Sequence, residues 1–191
     1  VNRTYLSSNF DNTNLSGADY VAWSWKAGGA AVSNTDGSIT TQVSANVDAG
    51  FSIISASFPQ SGYTNTFGHS LNSTPELIIY KPTSITLDWF IFSNYGGSLL
   101  GTNNVLRFTT AQAASDSLFV ITNETFKVAA TTPAHDFIAY AFHSVDGYSK
   151  IGSYVGNGSA TGPIVVTGFR PAFVMIKCSS STESGGASWL I

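Results

Sequence analysis

The sequence predicts an all-β protein: two related antiparallel β-sandwich repeats of jelly-roll-like type, the second incomplete. Three observations carry this. Short apolar runs rich in Val, Ile, Phe, Tyr and Trp recur along all 191 residues, separated by Gly, Pro, Asn, Ser and Asp clusters. No long stretch has helical periodicity; only 110–115, Thr-Ala-Gln-Ala-Ala-Ser, hints at a short helix. Finally, the chain echoes itself: NSTPELIIYK at 72–81 returns as GFRPAFVMIK at 168–177.

In chain order, the expected strands are YVAWSW (20–25), SITTQV (38–43), FSIISASF (51–58), ELIIYK (76–81), LDWFIF (87–92), VLRFTT (105–110), LFVIT (118–122), FIAYAFHSV (137–145), KIGSYV (150–155), PIVVTGF (163–169), AFVMIK (172–177) and SWLI (188–191). Their length and their β-branched and aromatic content suit a pleated, half-buried surface. Asn34-Thr35-Asp36-Gly37 is the strongest hairpin signal, because Gly supplies a positive φ. Side chains alternate across a strand. FIAYAF therefore sets Phe137, Ala139 and Ala141 against Ile138, Tyr140 and Phe142. YVAWSW likewise sets Tyr20, Ala22 and Ser24 against Val21, Trp23 and Trp25. The bulky set is expected to form the core and the small set a close-packed layer.

The echo extends beyond ten residues. Asp19 answers to Asp136, Gly50-Phe51-Ser52 to Gly147-Tyr148-Ser149, Pro75 to Pro171, Lys81 to Lys177 and Trp89 to Trp189. The separations are 117, 97, 96, 96 and 100 positions, in conserved order along the chain. The drop after the first anchor implies about twenty extra residues before Gly50. We read these as an inserted hairpin near 30–45. The expected units are 1–117 and 118–191. The second lacks counterparts of VLRFTT and LFVIT. Its missing strands are expected from chain beyond Ile191 or from a neighbouring subunit by strand addition.

Composition narrows the function classes. Hydrophobic residues make up 43% and aromatics 13%, enough for a core, whereas only 10% are charged. A surface of Ser, Thr, Asn and Gly repels its copies weakly and suits packing beside them. The net charge is −3 and the eight Lys and Arg are scattered, so no cationic stripe exists for nucleic acid. No apolar run reaches the roughly 20 residues of a membrane-spanning helix. The single cysteine, Cys178, precludes an intramolecular disulfide and reads as a small strand residue.

No catalytic, cofactor-binding or metal-ligating set stands out, and no cofactor is expected. His143 reads as a core or strand-end histidine and His69, in FGHS, as a turn residue; His135 completes the three. No GxSxG elbow or DxDxDG loop occurs. Glu76, Asp88, Asp136 and Asp146 are isolated acids. A polysaccharide-degrading enzyme would need two such groups facing one cleft. Asp19 and Asp136 read as residues securing a strand start. Glycan binding is the stronger rival, through Tyr63, Tyr95, Trp89 and Trp189, although repeat-equivalent Trp89 and Trp189 read better as core. The Asn-x-Ser/Thr triplets at Asn14, Asn72, Asn123 and Asn157 are expected in any Asn/Ser-rich chain.

The segments YVAWSWKAGGAAVSNTDGSITTQVSANVDAGFSI and GYSKIGSYVGNGSATGPIVVTGFRPAFVMIK resemble repeat-containing tail-fibre and other virion appendage proteins of marine bacteriophages. These often carry a concanavalin-like lectin domain in the same polypeptide. The resemblance covers about 19–177, and VAWSWKAGG and GYSKIGSYVGNG are its most specific parts. It implies a non-enzymatic structural or host-recognition role in an extracellular particle. The implied partners are other copies, other virion proteins or a host-surface glycan. It brings no catalytic residues.

Overall fold

The computed structural model describes residues 17, 19, 20, 22, 24–59, 65–93, 104–107, 114–115, 119–128, 133–178 and 190. Eleven strands lie among them: β1 (Val32–Asn34), β2 (Thr41–Asn46), β3 (Phe51–Phe58), β4 (Asn65–Gly68), β5 (Leu77–Pro82), β6 (Phe90–Ser93), β7 (Asn104–Arg107), β8 (Ala114–Ser115), β9 (Phe119–Ile121), β10 (Thr125–Val128) and β11 (His135–Phe142). The large sheet runs β1-β2-β3-β11-β5-β6-β7-β8, and a small one runs β4-β10-β9. Every strand pairing is antiparallel. The fold is an all-β antiparallel sandwich, with no helix among the described residues; the expected helix hint ends in strand β8.

The centre of the large sheet is β11, last in sequence. It lies against β3 from His135↔Phe58 to Phe142↔Phe51 and against β5 from Phe137↔Pro82 to Phe142↔Leu77. Its faces reverse the sequence expectation. Phe137, Ala139 and Ala141 are buried, while Ile138, Tyr140 and Phe142 are half-buried on the outer side. The reason is steric. Aromatic rings from both sheets fill the space between them: Phe67 of β4 meets Phe137 edge-on at 4.9 Å and Phe126 of β10 at 5.4 Å. Tyr80 of β5 stacks on Phe137 at 4.5 Å. Small residues at 139 and 141 leave room for a core that also holds Val43, Ile54, Phe58, Ile78 and Phe92.

The β1–β2 hairpin ties the two sheets together. Its turn is set by Asn34, whose Oδ1 accepts the Asp36 N–H, and by Gly37. A Cβ at Gly37 would lie 2.3 Å from the Thr66 carbonyl oxygen, so only glycine lets the turn rest on β4. Ser38 and Thr66 exchange side-chain-to-backbone hydrogen bonds there, and the Ile39 N–H donates to Thr66 O. Beyond β2, the hydroxyl of Ser44 donates to Gly29 O and the amide of Asn46 to Lys26 O. Residues 26–29 thus cross the outer side of the sheet beside Trp25, whose ring meets Phe142 at 6.2 Å.

The boundary expected after residue 117 does not separate two sandwiches. β9, β10 and β11 complete the same pair of sheets as β1–β8, so this unit runs to Phe142. Residues 143–178 contain only isolated bridges, at Val145↔Ser149 and Ile176↔Leu190, where KIGSYV, PIVVTGF and AFVMIK were expected to be strands. The described residues of YVAWSW, 20, 22, 24 and 25, are exposed and outside any strand. β4 and β10 were not anticipated; NTFG and TFKV are short and half polar, and each buries one aromatic ring.

Overpacking tests which face of β11 looks inward. Ala139→Leu should lower stability by about 1–3 kcal/mol, whereas Tyr140→Leu on the outer side should cost under about 1.5 kcal/mol. Urea denaturation of both variants checks the contrast.

Candidate functional site

The titratable side chains were the candidates for chemistry, and most of them hold strands. His69 is buried at the end of β4. Its Nδ1 accepts the Leu71 N–H at 3.2 Å, so the proton sits on Nε2, which donates to Thr122 O at 3.2 Å. Both ring nitrogens are committed, and the neutral ring staples the 69–71 turn to the β9–β10 connection. Burial pushes its pKa below the ordinary value of 6.5, against smaller opposing contributions from the Thr122 carbonyl and the Asp36 carboxylate.

His135 is also buried, stacked on Phe58 at 5.0 Å. Its Nδ1 donates to Pro133 O at 2.8 Å, which leaves Nε2 to accept the Tyr80 hydroxyl proton at 2.7 Å. Burial drives the Tyr80 phenol far above its ordinary range, so it stays protonated and serves as a donor. This pair joins β5 to the start of β11 inside the core. His143 lies at the other end of β11, where Nδ1 donates to Ser144 O at 2.8 Å. Its Nε2 is buried with no hydrogen-bond partner. Gly50 seats against it: the His143 N–H donates to Gly50 O at 2.9 Å. A Cβ on Gly50 would come within 2.6 Å of the His143 carbonyl oxygen.

The carboxylates likewise serve strand ends. Asp136 accepts the Ser57 hydroxyl at 2.6 Å, while its backbone N–H donates to the Ser84 hydroxyl at 2.8 Å. It pins the start of β11 to β3 and to the loop after β5. Glu76 accepts the Ser144 N–H at 2.5 Å just past the far end of the same strand. Roughly 20 Å of extended chain lies between these two ends. That exceeds the roughly 5–9.5 Å separating the carboxyl pair of a glycosidase. Asp146 stands in an exposed turn, Asp88 is half-buried and Asp19 is exposed. No group of three His, Cys, Asp or Glu able to hold a metal ion occurs among the described residues.

Of the aromatic candidates, Trp89 is 37% exposed rather than core. The Lys81 ammonium stands 6.0 Å from the centre of its ring while donating to Leu87 O. The loop between β5 and β6 thus carries a partly exposed indole beside a cation. Tyr63, Tyr95 and Trp189 lie outside the described residues, as does Asn14. Asn72, Asn123 and Asn157 are exposed, and Asn72 adopts a positive φ of 57°. Cys178 is half-buried. Sequence reasoning missed the pairing of Tyr80 with His135, because the two are 55 positions apart and only the β5–β11 ladder brings them together.

Fold and side chains together define an antiparallel β-sandwich whose described histidines and two best-placed acids fasten strands to one another. The chain matches, over residues 3–191, the profile of a domain family of unknown function, DUF7483. It belongs to that family. No curated protein and no solved structure matches it.

The His69 geometry makes stability depend on pH. The folded pKa lies below the unfolded one, so on acidification the unfolded chain takes up the proton first. The stabilisation is complete above about pH 6.5 and is lost as pH falls from there towards the folded pKa. His69→Gln keeps a donor for Thr122 O but strands the Leu71 N–H. It should cost about 1–3 kcal/mol at pH 7.5 and flatten the fall in urea midpoint below pH 6.5.

Proposed function

We propose that this chain is a non-enzymatic structural module of a phage virion appendage, a tail fibre or similar, working through contacts between β-sandwich units. The observation that carries the reading is the exposed aliphatic run at residues 164–166. Ile164, Val165 and Val166 are consecutive and all exposed, two of them almost fully. Contiguous apolar side chains in water mark a surface that meets other protein. The low charge of the chain agrees, since neighbouring copies repel one another weakly. In this reading the buried histidines, Glu76 and Asp136 hold the sandwich rigid, and loops at its ends reach neighbouring subunits or the host surface. The virion setting comes from the sequence resemblance of 19–177.

A carbohydrate-binding reading has one specific observation in its favour, the partly exposed Trp89 indole with Lys81 beside it. An apolar ring face with an adjacent donor is what a sugar ring stacks on.

Two measurements separate these readings. Immunogold electron microscopy with antibodies against the purified chain should label the appendages of particles whose genome encodes it. Unlabelled particles would contradict the virion role. On a glycan array the chain should bind nothing in the structural reading. Binding that is lost in Trp89→Ala, Tyr63→Ala or Tyr95→Ala would establish the carbohydrate-binding one.

A further inference from the structure

The sandwich supplies a register against which the internal repeat can be judged. The sequence anchors alone set residues 19–25 equivalent to 136–142, residues 147–155 to 50–58, residues 171–178 to 75–82, and Leu190 to Phe90. Three geometric features then coincide at equivalent residues. Gly50 and Gly147 both take a positive φ, 63° and 74°. In the β5–β6 ladder Tyr80 pairs with Phe90; their equivalents Ile176 and Leu190 form an isolated antiparallel bridge with both hydrogen bonds made, at 2.9 and 3.0 Å. In the β11–β5 ladder Phe142 pairs with Leu77; the rings of their equivalents Trp25 and Phe173 touch at 5.9 Å.

These contacts set Trp25 beside Phe173 and Ile176 beside Leu190, as the order β11-β5-β6 sets Phe142 beside Leu77 and Tyr80 beside Phe90. The side-chain pattern of residues 20–25 fits the place of β11. Ala22 and Ser24 stand where Ala139 and Ala141 admit the core rings, and Trp25 stands where Phe142 lies on the outer side. What the second set lacks is burial. Phe58 is 0% exposed and its equivalent Val155 is 88%; Ile78 is 0% and its equivalent Val174 is 51%. A strand between 148–155 and 173–178 would cover that surface as β11 covers β3 and β5.

We propose that residues 143–178 form a strand-accepting half-sandwich whose occupant is the chain's own 20–25 segment. That segment inserts between 148–155 and 173–178 in the register that β11 keeps with β3 and β5. Trp25 then lies opposite Tyr148 and Phe173, Ser24 opposite Ser149 and Val174, and Tyr20 opposite Cys178. Backbone hydrogen bonds supply the affinity, and alternating small and aromatic side chains select the strand. This rests on the register alone and holds whether or not the chain belongs to a virion.

The native cysteine allows a direct test. Tyr20→Cys places a second thiol opposite Cys178, within the 4.4–6.8 Å Cα separation that a disulfide spans. Ser24→Cys places it four residues further along, about 13 Å away. Mild oxidation of the dilute 191-residue chain should convert Tyr20→Cys to an intramolecular disulfide, with both thiols lost and the protein still monomeric on a non-reducing gel. Ser24→Cys should keep both thiols. Should Tyr20→Cys disturb folding, the pair Ser24→Cys with Val174→Cys in a Cys178→Ser background reports the same register and should also close. Open thiols in both opposed pairs overturn the proposal. So does closure only as a disulfide-linked dimer, which puts the strand in a second copy, or equal closure in the Ser24→Cys control.

Discussion

The structure depends on the insertion of β11 between β3 and β5. Those two strands are separated in sequence by β4 and never pair with each other; each takes its ladder from opposite sides of β11. Without β11 the large sheet would split into β1-β2-β3 and β5-β6-β7-β8, each with an unpaired edge. The same strand brings Ala139 and Ala141 to the middle of the core and Phe137 to its aromatic cluster. Its two ends carry the polar fastenings. Asp136 and His135 bind one end to β3 and β5, and Glu76 and Gly50 bind the other. Because β11 comes last, the sheet cannot close until the chain has doubled back across about 80 residues, an arrangement dominated by non-local contacts.

Much of this was legible in the sequence where local signals were dense. FSIISASF appears as β3 with its expected bounds, and the Asn34–Gly37 turn joins an antiparallel hairpin, although Gly37 serves there through its close approach to Thr66 and not through the expected positive φ. The short strands β4 and β10 were not legible, because four residues with alternate polar positions resemble a loop until a partner sheet buries Phe67 and Phe126. The inward face of β11 was read backwards for a related reason. Size along one strand does not reveal that the opposite sheet contributes the large rings, so that the small residues must face it. Trp89 shows the same limit. An apolar run suggested core, but Lys81 and the loop position hold the indole at the surface.

The polar candidates divide in a similar way. Asp136 was expected to secure a strand start and does so through Ser57 and Ser84. His69 was expected to serve a turn, and its bond to the Leu71 N–H does that; its reach to Thr122 needed the β4–β10 pairing. The Tyr80–His135 pair was invisible in the sequence because its members meet only across the β5–β11 ladder. Such fastenings hold the strands of the sandwich to one another. The sandwich is rigid where its strands are pinned, and apolar surface remains on the half-unit that follows it. Adding the 20–25 segment to that half-unit would repeat the β11 arrangement a second time in one chain.

The claim that β11 closes the sandwich is tested most directly by native-state hydrogen exchange of the 191-residue chain. If β11 completes the sheet, the amides of Ala139, Tyr140 and Ala141 and their partners Ile54 and Ile78 exchange only through global unfolding. Their opening free energy then equals the stability from urea denaturation. Exchange of the β11 amides through a cheaper local opening, while β2 and β3 stay protected, would show that the sheet stands without its central strand and would contradict the account.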